Sequence, residues 1–203
     1  MKNLVIAPHI DDEILGCFSV LNEDTFICYL GVEDRSFVSA KERIEELENA
    51  ASIMKFKWKV FSNVVNSYKT EDLINTIEEK INDLKPENVY IPHYSYNQDH
   101  RAVYDAAMVA VRHHDSNWFA EKVFVYEQPH TILWPYKYFE PNFFIKLDVD
   151  EKIRIYNLYK SQVRDHRSPE IISIIAKLRG KQANVEYAEA FHCIRYVVRN
   201  FQG

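Results

Sequence analysis

The chain has 203 residues, of which 47% are hydrophobic, and a formal net charge of −5. This length and composition favour one substantial α/β domain with a buried core. Acidic and basic residues are interspersed, so no basic stripe indicates nucleic-acid binding, and no apolar run is long enough to span a membrane.

The cysteines and the first residues favour a cytoplasmic protein. Three cysteines lie far apart without a CxxC pair, which is typical of reduced thiols in a cytoplasmic compartment. Because the chain opens on a predicted strand, we expect no signal peptide.

The first predicted strand is the apolar run Asn3–Ala7. A helix is predicted to begin near Asp12, because the apolar residues from Ile14 onward recur at helical spacing. The turn between the two elements carries His9, Asp11 and Asp12. A catalytic zinc ion takes imidazole and carboxylate ligands and keeps one position open. His9 and Asp12 are therefore candidate ligands, which leaves Asp11 to handle protons.

Two other interpretations of this turn stay open. Paired acids before a helix often act only as an N-cap and as a favourable charge at the helix dipole. A phospho-receiver domain also carries paired acids after its first strand, where they bind magnesium. A receiver further requires an acceptor Asp at the end of the third strand, and Val60-Phe61-Ser62-Asn63 contains none.

Strands and helices alternate along the following hundred residues. The pattern predicts strands over 25–30, 58–61 and 88–92 and helices over 40–54, 70–84 and 100–113, with Thr70 as a helix cap. This alternation predicts an α/β, Rossmann-like three-layer domain with a mostly parallel sheet. In such sheets ligands collect at the carboxyl ends of the strands, near the switch in strand order.

Beyond residue 115 the alternation is less regular. We predict strands over 122–127, 143–147 and 191–198 and a helix over 150–161. A further helix is predicted to begin with the cap Ser168 and Pro169 and to stop at Gly180 after Arg179. The whole chain, 1–203, is interpreted as a single domain. Its Rossmann-like half is 1–115, and 116–203 completes the sheet and the substrate site.

A second polar loop, His93–Arg101, follows the strand over 88–92. His100, at the start of a predicted helix, is a candidate third ligand. Asp99 is placed to hold the ring of a ligating histidine or to orient substrate. The alternative is that His93 and His100 are ordinary loop histidines.

Several motifs resemble one family. His9-Ile10-Asp11-Asp12-Glu13 resembles the His-Pro-Asp-Asp-Glu motif of the PIG-L/LmbE-type zinc-dependent N-deacetylases, and Asn97–Arg101 resembles their second motif. The resemblance continues, in the expected order, at Tyr159–Gln162, Arg179-Gly180 and Tyr187–Phe191.

The resemblance implies a role for individual residues. It implies His9, Asp12 and His100 as ligands of Zn²⁺, with another divalent ion such as Fe²⁺ as an alternative, and Asp11 as the general base. It also implies that Arg43 contacts the substrate, although a surface arginine is the commoner explanation of a helix residue of this kind. For Glu189, in the last matched segment, we expect a structural role that closes the site from the C-terminal side.

Two positions depart from the family pattern. Ile10 replaces the usual proline, and Asn97 stands where some members have a histidine that polarises the substrate carbonyl or protonates the amine. The Asn97 amide can donate a hydrogen bond to an oxyanion but cannot carry a proton. The proton donor is then Asp11 itself or another histidine such as His93 or His130, and the sequence leaves this choice open.

The expected function is removal of an N-acetyl group from an N-acetylglucosamine-type sugar or glycoconjugate in a cytoplasmic, bacterial enzyme. The expected partner is a small amino-sugar substrate, with no nucleic acid and no membrane span, and a homo-oligomer is possible. Aromatic residues either stack on the sugar or belong to the core or an interface, namely Tyr94, Tyr96, Trp134 and Tyr136. A non-catalytic sugar-binding relative of the same fold is the alternative.

Overall fold

The computed structural model describes residues 1–199, and its seven strands form one sheet in the order β3-β2-β1-β4-β5-β7-β6. The strands are β1 Asn3–Ala7, β2 Thr25–Tyr29, β3 Lys57–Val60, β4 Asn88–Pro92, β5 Lys122–Tyr126, β6 Phe143–Lys146 and β7 Ala188–Tyr196. The first five strands are parallel to one another, whereas β7 runs antiparallel to both β5 and β6. The predicted α/β architecture with a mostly parallel sheet is confirmed.

Helices cover both faces of the sheet. They are α1 Asp12–Cys17, α2 Ala40–Met54, α3 Thr70–Leu84, α4 Gln98–Ala110, α5 Pro129–Leu133, α6 Val149–Tyr156 and α7 Pro169–Gln182, with short 3-10 segments at 18–20, 160–162 and 165–167. On β1, Val5 packs with α1, α2, α6 and α7, whereas Leu4 and Ile6 pack with α3 and α4 on the opposite face. Both faces of β1 are buried, which explains its continuous apolar run.

The strand order switches at β1, which lies between β2 and β4. Asn3 pairs with Asn88 and Val5 pairs with Tyr90, so β1 and β4 end at the same edge of the sheet. The loop after β1 and the loop after β4 therefore meet at the topological switch point, where ligands bind in folds of this kind.

The C-terminal third differs from the sequence prediction in detail. The helix predicted over 150–161 ends at Tyr156, and a separate 3-10 turn follows at 160–162. The strand predicted over 191–198 is β7, Ala188–Tyr196. Helix α5 was not predicted, because five residues are too few to show helical periodicity.

Three further predicted helix limits are wrong. Helix α4 covers Gln98–Ala110 instead of 100–113. Lys69, not Thr70, is the cap residue of α3, and Thr70 is its first helical residue. Helix α7 does not stop at Gly180 but continues to Gln182. A Cβ at Gly180 would overlap the backbone of Glu186 and Tyr187, so this glycine allows the chain after α7 to pack closely against the helix.

Cys17, Cys28 and Cys193 are free thiols. Within residues 1–199, no helix has the length and apolar character needed to cross a membrane.

The role of Gly180 can be tested by replacing it with alanine. In an open helix, Gly→Ala stabilises by about 1 kcal/mol. Here we expect Gly180→Ala to lower the free energy of unfolding by about 1–3 kcal/mol, because the added methyl group overpacks the contact with Glu186. The measurement is urea unfolding, with Lys177→Ala on the exposed side of α7 as the control. A stabilised Gly180→Ala variant would contradict this role.

Candidate metal centre

The turn between β1 and α1 has an unusual backbone conformation at Asp11. Its φ of 114° is rarely adopted by a residue with a side chain, and such strain persists only where the surroundings hold it. The Asp11 N–H donates to Glu13 Oε2 at 3.0 Å, and Arg43 donates to the carbonyl of Ile10. The turn thereby directs the side chains of Asp11 and Asp12, which are neighbours in sequence, to different partners.

Asp12 lies between two histidine rings. Its Oδ2 is 3.7 Å from His9 Nδ1 and 3.5 Å from His100 Nε2. One ligand atom from each of His9, Asp12 and His100 lies within 4.8 Å of the others. The three residues that the sequence nominates as ligands are therefore brought together.

Neighbouring residues orient two of the three side chains. Asp99, which is fully buried, bonds His9 Nε2 at 2.9 Å, so Nδ1 is the ring nitrogen of His9 that faces Asp12. Gln128 donates to Asp12 Oδ1 at 2.7 Å, and the His9 amide donates at 2.8 Å to Oδ2, the oxygen nearer the two rings. A carboxylate behind a ligating histidine is a recurrent feature of metal sites.

This donor set fits a divalent metal ion. In a tetrahedral zinc site with bonds near 2.1 Å, neighbouring ligand atoms are about 3.4 Å apart, close to the two distances between Asp12 and the rings. Two imidazoles and a carboxylate also suit Fe²⁺. The three ligands leave a position for water or substrate, as a catalytic site requires.

The charges at the cluster also favour a cation. Burial raises the pKa of Asp12 to about 6 and lowers the pKa of His100 well below its usual value. Burial also lowers the pKa of His9, but the hydrogen bond to Asp99 and the nearby carboxylates outweigh it, and the pKa is raised. A bound cation would offset the cost of burying the Asp12 carboxylate.

Asp11 lines the same cavity as the cluster without belonging to it, and its carboxylate pairs with arginines. Its Oδ2 accepts from Arg167 Nη1 at 2.8 Å, and its Oδ1 is 3.7 Å from Arg43 Nη2. Glu13, fully buried, accepts the Tyr159 hydroxyl at 2.6 Å while it holds the Asp11 amide. Asp11, the nominated base, is thus held through its side chain by arginines and through its backbone amide by Glu13.

Arg43 is buried, with 1% of its surface exposed. Besides Ile10 and Asp11, its guanidinium bonds Glu46 Oε2 and Ser161 Oγ, each at 3.2 Å. These contacts make Arg43 a support for the turn that carries Asp11. The substrate contact implied for Arg43 stays a prediction.

Asn97 has a structural role that the motif does not reveal. Its Oδ1 accepts from the amides of Asp99, at 2.9 Å, and of His100, at 3.5 Å, so it caps helix α4. Since both residues lie in the first turn of that helix, the cap positions them. The amide nitrogen of Asn97 makes no hydrogen bond to another residue among 1–199.

The cluster opens into what we call the central cavity, bounded by the loops 31–39, 61–69, 93–97 and 160–168 and by the start of α5. His130 lines it, with its ring 5.0 Å from that of His100, centre to centre. His93 lies elsewhere, with its Nε2 3.1 Å from the carbonyl of Lys137. Of the four aromatic residues nominated for stacking, Tyr96 lines this cavity, Tyr94 packs against Tyr104 and Tyr136 outside it, and Trp134 and Tyr136 are exposed.

Glu189 supports the site from behind. It accepts the amides of Phe18 at 3.0 Å and Ser19 at 2.7 Å and pairs with the buried Lys152 at 2.6 Å. Lys152 also donates to the carbonyl of Leu15 at 2.8 Å. Strand β7 and α6 are thereby attached to the end of α1.

Sequence reasoning missed two residues that contact the nominated carboxylates. Gln128 follows β5 closely, and a polar residue just after a parallel strand is a signal that could have identified it. Arg167 lies in a 3-10 segment between two helices, and nothing in the local sequence indicates its pairing with Asp11.

The family model PIG-L, described as GlcNAc-PI de-N-acetylase, matches residues 4–111, which is more than half of the chain. Among curated proteins, none matches the chain significantly.

Several solved structures share the fold. The conserved protein TT1542 from Thermus thermophilus is 22% identical with a TM-score of 0.82, covering 100% of this chain and 99% of that one. The N,N'-diacetylchitobiose deacetylase from Pyrococcus horikoshii is 17% identical, with a TM-score of 0.77 and coverage of 96% and 84%. GalB, the 4-carboxy-2-hydroxymuconate hydratase from Pseudomonas putida KT2440, is 18% identical, with a TM-score of 0.76 and coverage of 100% of both chains. At these identities the likeness shows the fold alone.

The support that Asp99 gives to His9 leads to a prediction about metal affinity. We expect Asp99→Asn to weaken divalent metal binding by about 10- to 100-fold, because the carboxylate that orients the ring and increases its basicity is lost. The measurement is competition with a chelating dye at pH 7, together with the melting temperature of each variant. The control is Asp105→Asn, the same change at an exposed position of α4. Equal affinities in the two variants would contradict the role of Asp99.

Proposed function

This chain belongs to the PIG-L (GlcNAc-PI de-N-acetylase) family, and on that premise we propose that it is a metal-dependent hydrolase that removes the N-acetyl group from an N-acetylglucosamine-type sugar or glycoconjugate. The observation that carries the proposal is the His9, Asp12 and His100 cluster with the Asp11 carboxylate at the same cavity. The Pyrococcus relative, a diacetylchitobiose deacetylase of the same fold, supports this substrate class.

The metal proposed for the cluster is Zn²⁺, with Fe²⁺ as the alternative, held by His9 Nδ1, Asp12 Oδ2 and His100 Nε2. When bound, such an ion acts as a Lewis acid toward the substrate carbonyl and lowers the pKa of a water toward about 7. The protein residues then have to orient the amide, accept a proton from the attacking water and return this proton to the amine nitrogen.

Asp11 is proposed as the group that moves this proton. Its carboxylate accepts a proton from the attacking water as the new C–O bond forms at the amide carbon. The C–N bond then breaks, and the amine leaves readily only if its nitrogen is protonated. Asp11 returns the same proton to that nitrogen, so the products are acetate and a free amine.

The alternative proton donors are less suitable. Burial, followed by the charge of Arg167, lowers the pKa of His130 to about 4, so this ring is neutral near pH 7 and carries no spare proton. A neutral ring that lines the cavity suits hydrogen bonding to substrate instead. His93 contacts the carbonyl of Lys137 and does not line the central cavity.

Oxyanion stabilisation is proposed for Asn97, whose amide nitrogen faces no partner among residues 1–199 while its oxygen caps α4. Asp99 is proposed as the carboxylate that holds His9, and Arg43 as the residue that holds Asp11, beside any substrate contact of its own.

The reaction can be tested with the metal-loaded protein and a panel of N-acetylglucosaminides. We expect equimolar amine, detected with a fluorogenic amine reagent, and acetate, detected by NMR. Asp11→Asn should retain the metal and lower kcat by about 10²- to 10⁴-fold, because proton transfer is lost. His100→Ala should instead lose metal affinity.

Matched controls are Asp105→Asn and His114→Ala, at exposed positions away from the cavity. If Asp11→Asn turns over as fast as the parent, Asp11 is not the base. If the protein binds metal and sugar but releases neither product across the panel, it is a non-catalytic relative. The shared fold of the hydratase GalB means that product identification, not fold, decides the reaction.

A further inference from the structure

Gln128 connects the end of β5 with the metal cluster. It lies two residues after the strand, and 3% of its surface is exposed. Its amide nitrogen donates to Asp12 Oδ1 at 2.7 Å and to the backbone carbonyl of the same residue at 3.4 Å. One side chain therefore holds both the carboxylate and the backbone of a nominated ligand.

We propose that Gln128 is a positioning residue that reserves Asp12 Oδ1, so that Asp12 offers only Oδ2 to a divalent ion and one position on the ion stays open. This inference rests on the metal centre of the proposed function and specifies how that centre stays accessible to water or substrate. A carboxylate that bound through both oxygens would occupy the position that a catalytic site with three protein ligands keeps open.

The two oxygens of Asp12 have different surroundings. Oδ2 accepts the His9 amide at 2.8 Å and lies 3.7 Å from His9 Nδ1 and 3.5 Å from His100 Nε2. Oδ1 accepts from Gln128, its one side-chain partner among residues 1–199. If Oδ1 turned toward an ion at the rings, this buried hydrogen bond would break, and buried donors are nearly always satisfied.

Close packing of α1 brings Asp12 within reach of Gln128. A Cβ at Gly16 would lie 2.7 Å from the carbonyl oxygen of Glu127 and would overlap the ring of Tyr126. Gly16 therefore allows α1, which begins at Asp12, to pack directly against the end of β5. The gap between the strand end and the ligand is then short enough for a single glutamine side chain.

The backbone around Gln128 is held on both sides. The Gln128 amide donates to the Thr131 hydroxyl at 3.3 Å, and this hydroxyl donates to the Gln128 carbonyl at 2.7 Å. Pro129, the next residue, has a fixed φ at the start of α5. On the preceding side, Glu127 accepts from Arg179 Nε of α7 at 2.8 Å in a buried ion pair. The glutamine side chain therefore projects from a fixed point.

A neutral donor suits this position. The glutamine amide directs Oδ1 without cancelling the negative charge that attracts a cation. A lysine or arginine here would repel the ion, and a carboxylate would repel Asp12 or bind the ion itself. The arginines beside the turn, Arg43 and Arg167, contact Asp11 and form no ion pair with Asp12 within residues 1–199. The charge of Asp12 thus remains available to the ion.

The test replaces Gln128 with methionine, which is also unbranched and has no hydrogen-bond donor. The protein is loaded with Co²⁺, whose visible absorption is stronger in a four-coordinate site than in sites with more ligands and requires no turnover. We expect Gln128→Met to absorb more weakly than the parent, because the released Oδ1 becomes an additional ligand. The control is Gln182→Met, at an exposed position of α7 away from the central cavity, and melting temperatures verify folding.

Acetate, the proposed product, probes the open position directly. We expect the dissociation constant of acetate from the Co²⁺-loaded protein to be about tenfold or more higher in Gln128→Met than in the parent, because Oδ1 competes for the same position. The measurement is titration of the visible spectrum with acetate. Gln182→Met should bind acetate as the parent does.

A second variant, Gln128→Lys, restores a donor and adds a positive charge. At saturating Co²⁺ its spectrum should resemble that of the parent, whereas its affinity for Co²⁺ should be about tenfold or more lower, because the two cations repel each other. A weak spectrum in this variant as well would show that any change at Gln128 disturbs the site, which would overturn the role of the hydrogen bond.

The outcome for the inference is separate from the outcome for the proposed function. If the spectra and the acetate affinities change as expected but no N-acetyl sugar is hydrolysed, only the proposed function fails. If sugar is hydrolysed but Gln128→Met has the spectrum and the acetate affinity of the parent, Gln128 does not reserve Oδ1 and only this inference fails.

Discussion

The site depends on the backbone of one residue, Asp11, which is held at a φ of 114°. In a regular helix, the helical period alone would set the directions of two consecutive side chains. The strained turn instead sends Asp12 toward His9 and His100 and sends Asp11 toward Arg167. A conformation of this kind costs of order 1–3 kcal/mol, so the contacts around it must hold it in place. The Asp11 amide bonded to Glu13 and the Ile10 carbonyl bonded to Arg43 are those contacts.

The second constraint is the parallel pairing of β1 with β4. It brings the turn after β1 next to the start of α4, about ninety residues later in the chain, as the pairing of His9 with Asp99 shows. Asn97 caps α4 and so positions Asp99 and His100 together, one behind His9 and the other beside Asp12. Asn97, one of the two departures from the motif that the sequence resembles, thus builds the start of this helix.

Residues beyond 115 complete the site from the other side. Gln128 orients Asp12, Tyr159 holds Glu13, Arg167 pairs with Asp11, and Glu189 fastens the end of α1. The family match ends at residue 111 and contains none of these four residues. Carboxylates removed from water need paired donors, and the C-terminal part supplies several of those donors.

Local sequence determined the elements and the nominated ligands. The apolar run of β1 predicts a strand buried on both faces, and the positions of His9, Asp12 and His100 after β1 and β4 predict that they meet, because parallel strands end at one edge. The elements and the meeting of the two loops need only periodicity and topology, whereas the set of three ligands also rests on the motif resemblance. Tertiary structure decided the rest. The continuation of α7 through Gly180 depends on the backbone of Glu186, and the partner of Asp11 depends on Arg167, a residue 156 positions away in a segment without periodicity. Close packing and side-chain pairing between distant segments leave no regular pattern in the sequence, so only the folded chain reveals them.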